Sequence, residues 1–346
     1  MKSPGPLSLL GILLFAATVA TGQMPSDSDK IVIEKKSKAP RGPMHVSIKP
    51  YVAVNSGHTT YEMDESGYDG SEFIRVRSKL EFPLDVTLAG ANVTVELPDR
   101  RWRLEGGFWA NVQDPDKKMK DYDWLTAGPF NDAMISYTES DALMSAFEFK
   151  LGAGYRVLER EKVRWFVNAG FRYQKVDQDI NGYKGWQLDT NLQRFPVAGT
   201  EPAIAYQISY KMPLFGMSIE WQPLPSLKFS LSGSGVYFWV NDVDDHLIRG
   251  KESTAKGTGT GGLGGIEGAY LFGSGSRGVT PFIGFTGELL YLSSTARQTQ
   301  RWYRDELDYS TDPPTVLVPA GTVIYGIHHK ITSKQTRIGV SAGVRF

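Results

Sequence analysis

The stretch VRWFVNAGFRYQK, residues 163–175, decides the fold. Val163, Trp165, Val167, Ala169, Phe171 and Tyr173 are apolar, and Arg164, Asn168, Arg172 and Gln174 stand between them. A period of two over this length makes a strand with one greasy and one polar face. The pattern recurs along the chain. In EFIRVRSKLEF (72–82), Ile74, Val76, Leu80 and Phe82 alternate with Arg75, Arg77, Lys79 and Glu81. In AIAYQISYKMP (203–213), Ile204, Tyr206, Ile208, Tyr210 and Met212 alternate with Gln207, Ser209 and Lys211. RIGVSAGVRF (337–346) sets Ile338, Val340, Ala342, Val344 and Phe346 on one face.

A soluble sandwich would alternate too. Two features favour a membrane barrel instead: aromatics near the strand ends, as an interfacial girdle has, and full charges on the polar faces, which suit a water-filled lumen. The predicted fold is all-β, a ten-stranded antiparallel transmembrane β-barrel. Its strands fall at about 45–56, 71–98, 101–112, 142–158, 162–178, 200–222, 226–242, 260–273, 278–300 and 331–346. Short turns (ELPDRRW, LEREKV, QPLPSLK, GSGSRG) alternate with long loops at about 57–70, 113–141, 179–199, 243–259 and 301–330. An even strand number with short periplasmic turns and long extracellular loops is the outer-membrane pattern. Closure leaves no unpaired edge in lipid. Pro83 and Pro213 are expected at bulges or strand ends.

Composition narrows the options. The 346 residues carry 38 basic and 38 acidic side chains, so nothing indicates nucleic acid as a partner. There is no cysteine, hence no disulfide and no thiolate metal site. Residues 1–22, MKSPGPLSLLGILLFAATVATG, read as a secretory signal, and 23–44 as a polar, proline-bearing N-terminal arm. Residues 45–346 are the barrel domain. No later run is apolar enough for a transmembrane helix.

Two acidic clusters stand out. VNDVDDHLIRG (240–250) follows the seventh strand and holds one of only five histidines. The inward parity of that strand continues through Val236, Phe238 and Val240 to Asp242, Asp244 and His246. A carboxylate two residues from an imidazole on one strand face can orient it and raise its basicity. MKDYDWLTAG (119–128) places Asp121 and Asp123 at the same spacing, and two neighbouring carboxylates resist ionising together. Facing each other across a cleft, pair and dyad could hold and polarise a water. Each cluster alone is usually a solvated loop. DVDD lacks the ordered spacing of a calcium loop, and zinc asks for more than one histidine.

Together, a ten-stranded barrel with DYDW in its second outer loop and DVDDH opening its fourth resembles the omptins, outer-membrane endoproteases of Gram-negative bacteria. SGHTTYE, FKLGAGYRV and YKMPLFG support the resemblance, which covers about residues 46–346. It implies that Asp121 and Asp123 are the catalytic pair and that Asp244 and His246 form the dyad activating a water. It implies cleavage at basic residues, with the side chain before the cut held by Asp242 and by a first-loop acid. Spacing puts Tyr61 at that second place, with Glu62 beside it as the candidate acid. It implies a monomer in the outer membrane, an extracellular active site, no cofactor, and polypeptide substrates carrying basic residues. It also implies lipopolysaccharide contact and dependence, with Phe171, Tyr173, Lys175 and Ser209 at the matching places.

The alternative is a non-enzymatic barrel, an adhesin or small channel, whose lumen Arg75, Arg77 and Lys79 would crowd. A lipid-modifying barrel would need a serine nucleophile with a histidine partner, and none stands out. His328 and His329 are adjacent, so they point to opposite faces of a strand and do not form a metal pair. GTGTGGLGG (257–265) resembles a phosphate loop in composition only.

Overall fold

A computed structural model describes residues 44–346 except 71, 99–100, 274–277 and 309–312. The expected signal segment and all but Met44 of the expected arm lie outside the described residues. Fourteen strands follow in chain order: β1 His45–Asp69, β2 Glu72–Pro83, β3 Val86–Glu96, β4 Trp102–Asn111, β5 Met119–Ala127, β6 Phe130–Glu159 and β7 Val163–Leu188, then β8 Arg194–Leu224, β9 Leu227–His246, β10 Lys251–Leu271, β11 Thr280–Trp302, β12 Glu306–Asp308, β13 Thr315–Val318 and β14 Val323–Arg345. Among the described residues there is no helix.

Twelve strands form one antiparallel sheet, and β14 pairs with β1, so the sheet closes into a ring. β12 and β13 form a separate hairpin. The count is therefore fourteen elements, not ten. Part of the difference has a local cause. β2 and β3 succeed one another along β1, and β4 and β5 succeed one another along β6. The first break follows Pro83, which cannot donate to a ladder. There Asn55 donates to the Leu84 carbonyl at 2.7 Å and Ser56 to Asp85 at 2.7 Å, so the break is hydrogen-bonded. β8, by contrast, runs through Pro213 with its register to β9 unchanged.

The expected long loops are mostly strand. β1 continues to Asp69, β6 has 30 residues and β8 has 31. A membrane crossing takes only ~9–11. The hairpins β1–β2, β5–β6, β7–β8 and β9–β10 stand far above any such belt. The alternating hydrophobic signal persists where an inner face joins the apolar floor, as on β2 and β8, and fades toward the hairpin tips, while backbone pairing goes on.

Outward apolar residues define the belt. They run from Phe346, Ile48, Trp221 and Tyr270 near the short turns up to Val54, Leu143, Phe215, Trp239, Tyr291 and Ile338, all exposed. Above them the outer surface turns polar, with Gln207, Lys211, Asn241, Thr295 and Lys334 exposed. The interior changes in the opposite sense. Near the short turns it is charged: Glu220 accepts from Arg103 at 2.6 Å, Arg164 at 2.6 Å and Lys228 at 2.7 Å, around a cavity of about 310 Å³. Next comes a buried quartet, in which Arg172 meets Glu148 at 3.1 Å and Glu288 at 2.6 Å, and Arg337 meets the same two at 3.1 and 3.5 Å.

Above the quartet lies an apolar layer. Leu80, Phe82, Tyr206, Ile208, Tyr210, Phe238 and Leu292 are all nearly inaccessible. The expectation of a water-filled, charge-lined lumen is corrected at this level. On β2, Leu80 and Phe82 point inward, while Arg77 and Lys79 lie over the Trp124 and Tyr122 rings on the other face. Burying each such apolar side chain contributes ~1.5–3 kcal/mol. The glycine run 257–265 lies within β10, and a Cβ at Gly259 would meet the Phe238 ring. Glycine there makes room for the layer.

Candidate active site

The apolar layer is the floor of the site. Asp121 and Asp123 stand on β5, opposite Leu80 and Ser78 of β2. Tyr122 and Trp124 alternate with them and stack on each other at 6.0 Å. The spacing thus puts both carboxylates on the inner face, as strand parity requires. On β9, Asp242 is 2 % exposed and Asp244 is fully buried. His246 follows on the same parity at the end of the strand, and its ring Nε2 lies 3.0 Å from Asp244 Oδ2. The turn to β10 uses Gly250 at φ 62°, a conformation that suits glycine. It delivers Lys251 opposite His246.

The charges show that the clusters meet. Burial pushes the Asp121 carboxyl well above the ordinary range, and the negative charges of Asp123 and Asp244 add to it. Burial raises Asp123 as well, while Ser78, Arg249, His246 and Lys251 oppose the rise. Burial alone would raise Asp244, but the charge of His246, its hydrogen bond and Lys251 outweigh that and hold it low. Lys251 is itself pushed down to about 8 by burial and by Arg249. Arg249 is held by Glu306 at 2.6 Å, and Trp302 donates to the same carboxylate at 2.7 Å. The arrangement is a pair of carboxyls biased toward holding a proton, one oriented imidazole and a cationic rim. It suits activation of a water against an amide carbonyl.

The omptin family model matches residues 49–260. The chain belongs to the omptin family. Omptins are outer-membrane proteases, and that coarse class follows for this chain. Among solved structures, it is similar to the outer membrane protease OmpT from Escherichia coli at a TM-score of 0.64 and 13 % identity, over 87 % of this chain and 96 % of that one. At that identity the likeness shows the fold alone. The β-domain of the Bordetella autotransporter BrkA aligns at a TM-score of 0.24 and 9 % identity, over 85 % and 98 % of the two chains. A Pseudomonas aeruginosa FadL homologue aligns at 0.26 and 11 %, over 87 % and 90 %. Likenesses that low say nothing about this fold. No curated protein matches the chain in sequence.

Two site residues depart from the omptin expectation. Glu62 is not brought to Asp242. Strand parity turns it to the outer face, where it faces Lys330 at 3.5 Å. Tyr61 takes the inward place, 3 % exposed, with its hydroxyl donating to Gln298. The second departure is His329, fully buried on β14, whose Nε2 lies 3.7 Å from Asp242 Oδ2. Its ring packs on Tyr61 at 4.3 Å. The sequence reading left His329 out, although counting back by twos from the inward Arg337 reaches it. Lys251 was missed as well, because its place depends on the exact length of the β9–β10 turn. His328, as expected, takes the opposite parity.

Proposed function

We propose that the chain is an omptin-type endopeptidase that cleaves polypeptides next to arginine or lysine. The observation that carries this is the convergence of Asp121 and Asp123 with the Asp244–His246 dyad over one buried floor. A water between pair and dyad attacks the peptide carbonyl. His246 takes its proton through the ring nitrogen that Asp244 does not hold, and Asp244 fixes the ring and supports its positive charge. The protonated carboxyl of the pair donates to the carbonyl oxygen as charge develops there, and its partner positions the water; the intermediate then collapses, the C–N bond breaks, and His246 gives the proton it took to the leaving amine. No cofactor enters this scheme.

Asp242 receives the basic side chain before the cut. Ten positions around the ring are the transmembrane count in this reading, with the hairpin end outside the cell. The monomer contacts lipopolysaccharide at the belt's upper edge through Phe171, Tyr173 and Lys175, beside Ser209, which pairs with Lys175 across β7 and β8. An adhesin or channel would not require this inner-face convergence, and the packed apolar layer is unlike an open pore. The test is cut-site mapping by mass spectrometry on a mixed peptide library. Cuts beside arginine or lysine are expected, and cuts indifferent to basic residues would sink the specificity.

A further inference from the structure

The pocket around Asp242 is not the doubly acidic one that the resemblance implies. Tyr61 from β1 and Tyr206 from β8 wall it, with ring centroids 6.5 Å apart and at 88°. Phe82 from β2 stacks on Tyr206 at 3.8 Å. Asp242 and Asp244 lie two residues apart on one buried strand face, and two bare carboxylates cannot both be sustained there without partners. Asp244 has His246 and, nearby, Lys251. Asp242 has its own backbone N–H and the ring of His329, at 3.7 Å. Asp242 Oδ1, both His329 nitrogens and the Tyr206 hydroxyl are buried and have no hydrogen-bond partner on the protein. Leaving such groups unpaired is costly, which marks a site that a ligand's polar groups complete.

We propose that His329 is a specificity-determining residue: Asp242 and His329 together hold one proton, and a basic substrate side chain enters by expelling it. This rests on the protease reading and adds what controls its selectivity. Charge neutrality of the buried pair asks for that proton. A guanidinium stays charged throughout the accessible pH range and can replace it as the counter-charge. The aromatic walls then hold the cation's faces in place of the missing second acid.

The titration agrees with the geometry. Burial, aided by Asp244, pushes Asp242 up to about 8, and burial pushes His329 down to about 4. The titratable groups facing the pair are Tyr61 on β1, Tyr206 and Tyr210 on β8 and Asp244 on β9, and His328, on the outer face of β14, acts on His329 through its charge. Because Asp242 is raised above its ordinary value, its proton is held below about 8 and lost as pH rises through that value. Selection for a cation therefore strengthens with rising pH.

The test uses binding of two blocked peptides to the full refolded barrel by fluorescence anisotropy. They differ only in arginine or citrulline before an N-methylated, uncleavable bond. The ratio of citrulline to arginine Kd is expected to rise about tenfold per pH unit between pH 6 and 8, as one linked proton requires, and then to level off. His329→Leu removes one of the two seats of the shared proton, so the levelling point shifts. His329→Gln gives the same readout if the leucine variant does not fold. A flat ratio from pH 6 to 9 would overturn the proposal, as would a levelling point that neither variant moves. Failed cleavage of the unmethylated arginine peptide, with this binding profile intact, would reject the protease and keep the proton-linked pocket.

Discussion

Each residue of the site takes its character from what surrounds it. Asp121, Asp123, Asp242 and Asp244 are chemically identical, yet burial raises three of them, with repulsion from neighbouring carboxylates added at Asp121 and Asp242, while His246 holds the fourth low. Asp244→Asn removes that partner charge and lets the ring turn. We expect kcat to fall by ~10²-fold or more with KM little changed, as loss of an orienting acid does. Lys251 lowers Asp121, Asp123 and Asp244, so removing its charge lets all three rise. Lys251→Met should therefore move the acid limb of the pH–rate profile to higher pH. An unmoved limb would show that Lys251 does not act on the site. DYDW and DVDDH were legible because strand parity alone puts their acids on one face. Glu62 was misplaced by the same parity, read one residue off. His329 was legible in principle, since its parity with Arg337 is fixed.

At the scale of elements, hydrophobic alternation announced the strands inside the belt and went quiet toward the hairpin tips. VRWFVNAGFRYQK reads correctly because lipid lies on one side, and Trp165 and Arg172 point as expected, Arg172 being 1 % exposed. AIAYQISYKMP also alternates, but its apolar face turns inward to build the floor, and Lys211 faces out. Alternation reports a two-faced strand and not which face meets lipid. The fourteen-element count followed from the break after Pro83 and from β5, β12 and β13, which form inside expected loops where periodicity gives no mark. The quartet of Glu148, Arg172, Glu288 and Arg337 ties β6, β7, β11 and β14 together beneath the floor. Arg172→Ala leaves Glu148 and Glu288 to share Arg337 as their one remaining guanidinium and should cost ~3–5 kcal/mol, seen as a lower unfolding midpoint of the refolded barrel. An unchanged midpoint would mean that the quartet is not structural.

Over the described residues the main sheet is a closed ring with two ends of different kind. The short-turn end holds a charged, paired interior, and the hairpin end carries the site above an apolar floor. The chain has no cysteine, so a single introduced one reports its own exposure. Leu317→Cys, at a position 59 % exposed in β13, should react with a membrane-impermeant maleimide on intact cells. Leu224→Cys, beside a short turn, should react only after the outer membrane is opened. The reverse pattern would invert the proposed orientation. The measurement that tests the central claim most directly is cleavage of a quenched fluorescent peptide with an Arg–Arg bond. Refolded wild type, His246→Ala and Asp121→Ala are compared, with and without lipopolysaccharide. We predict cutting by wild type that drops by ~10³-fold or more in both well-folded variants. Undiminished cutting in either variant would contradict the mechanism, and a folded wild type that leaves the peptide intact under both conditions would contradict the proposed activity.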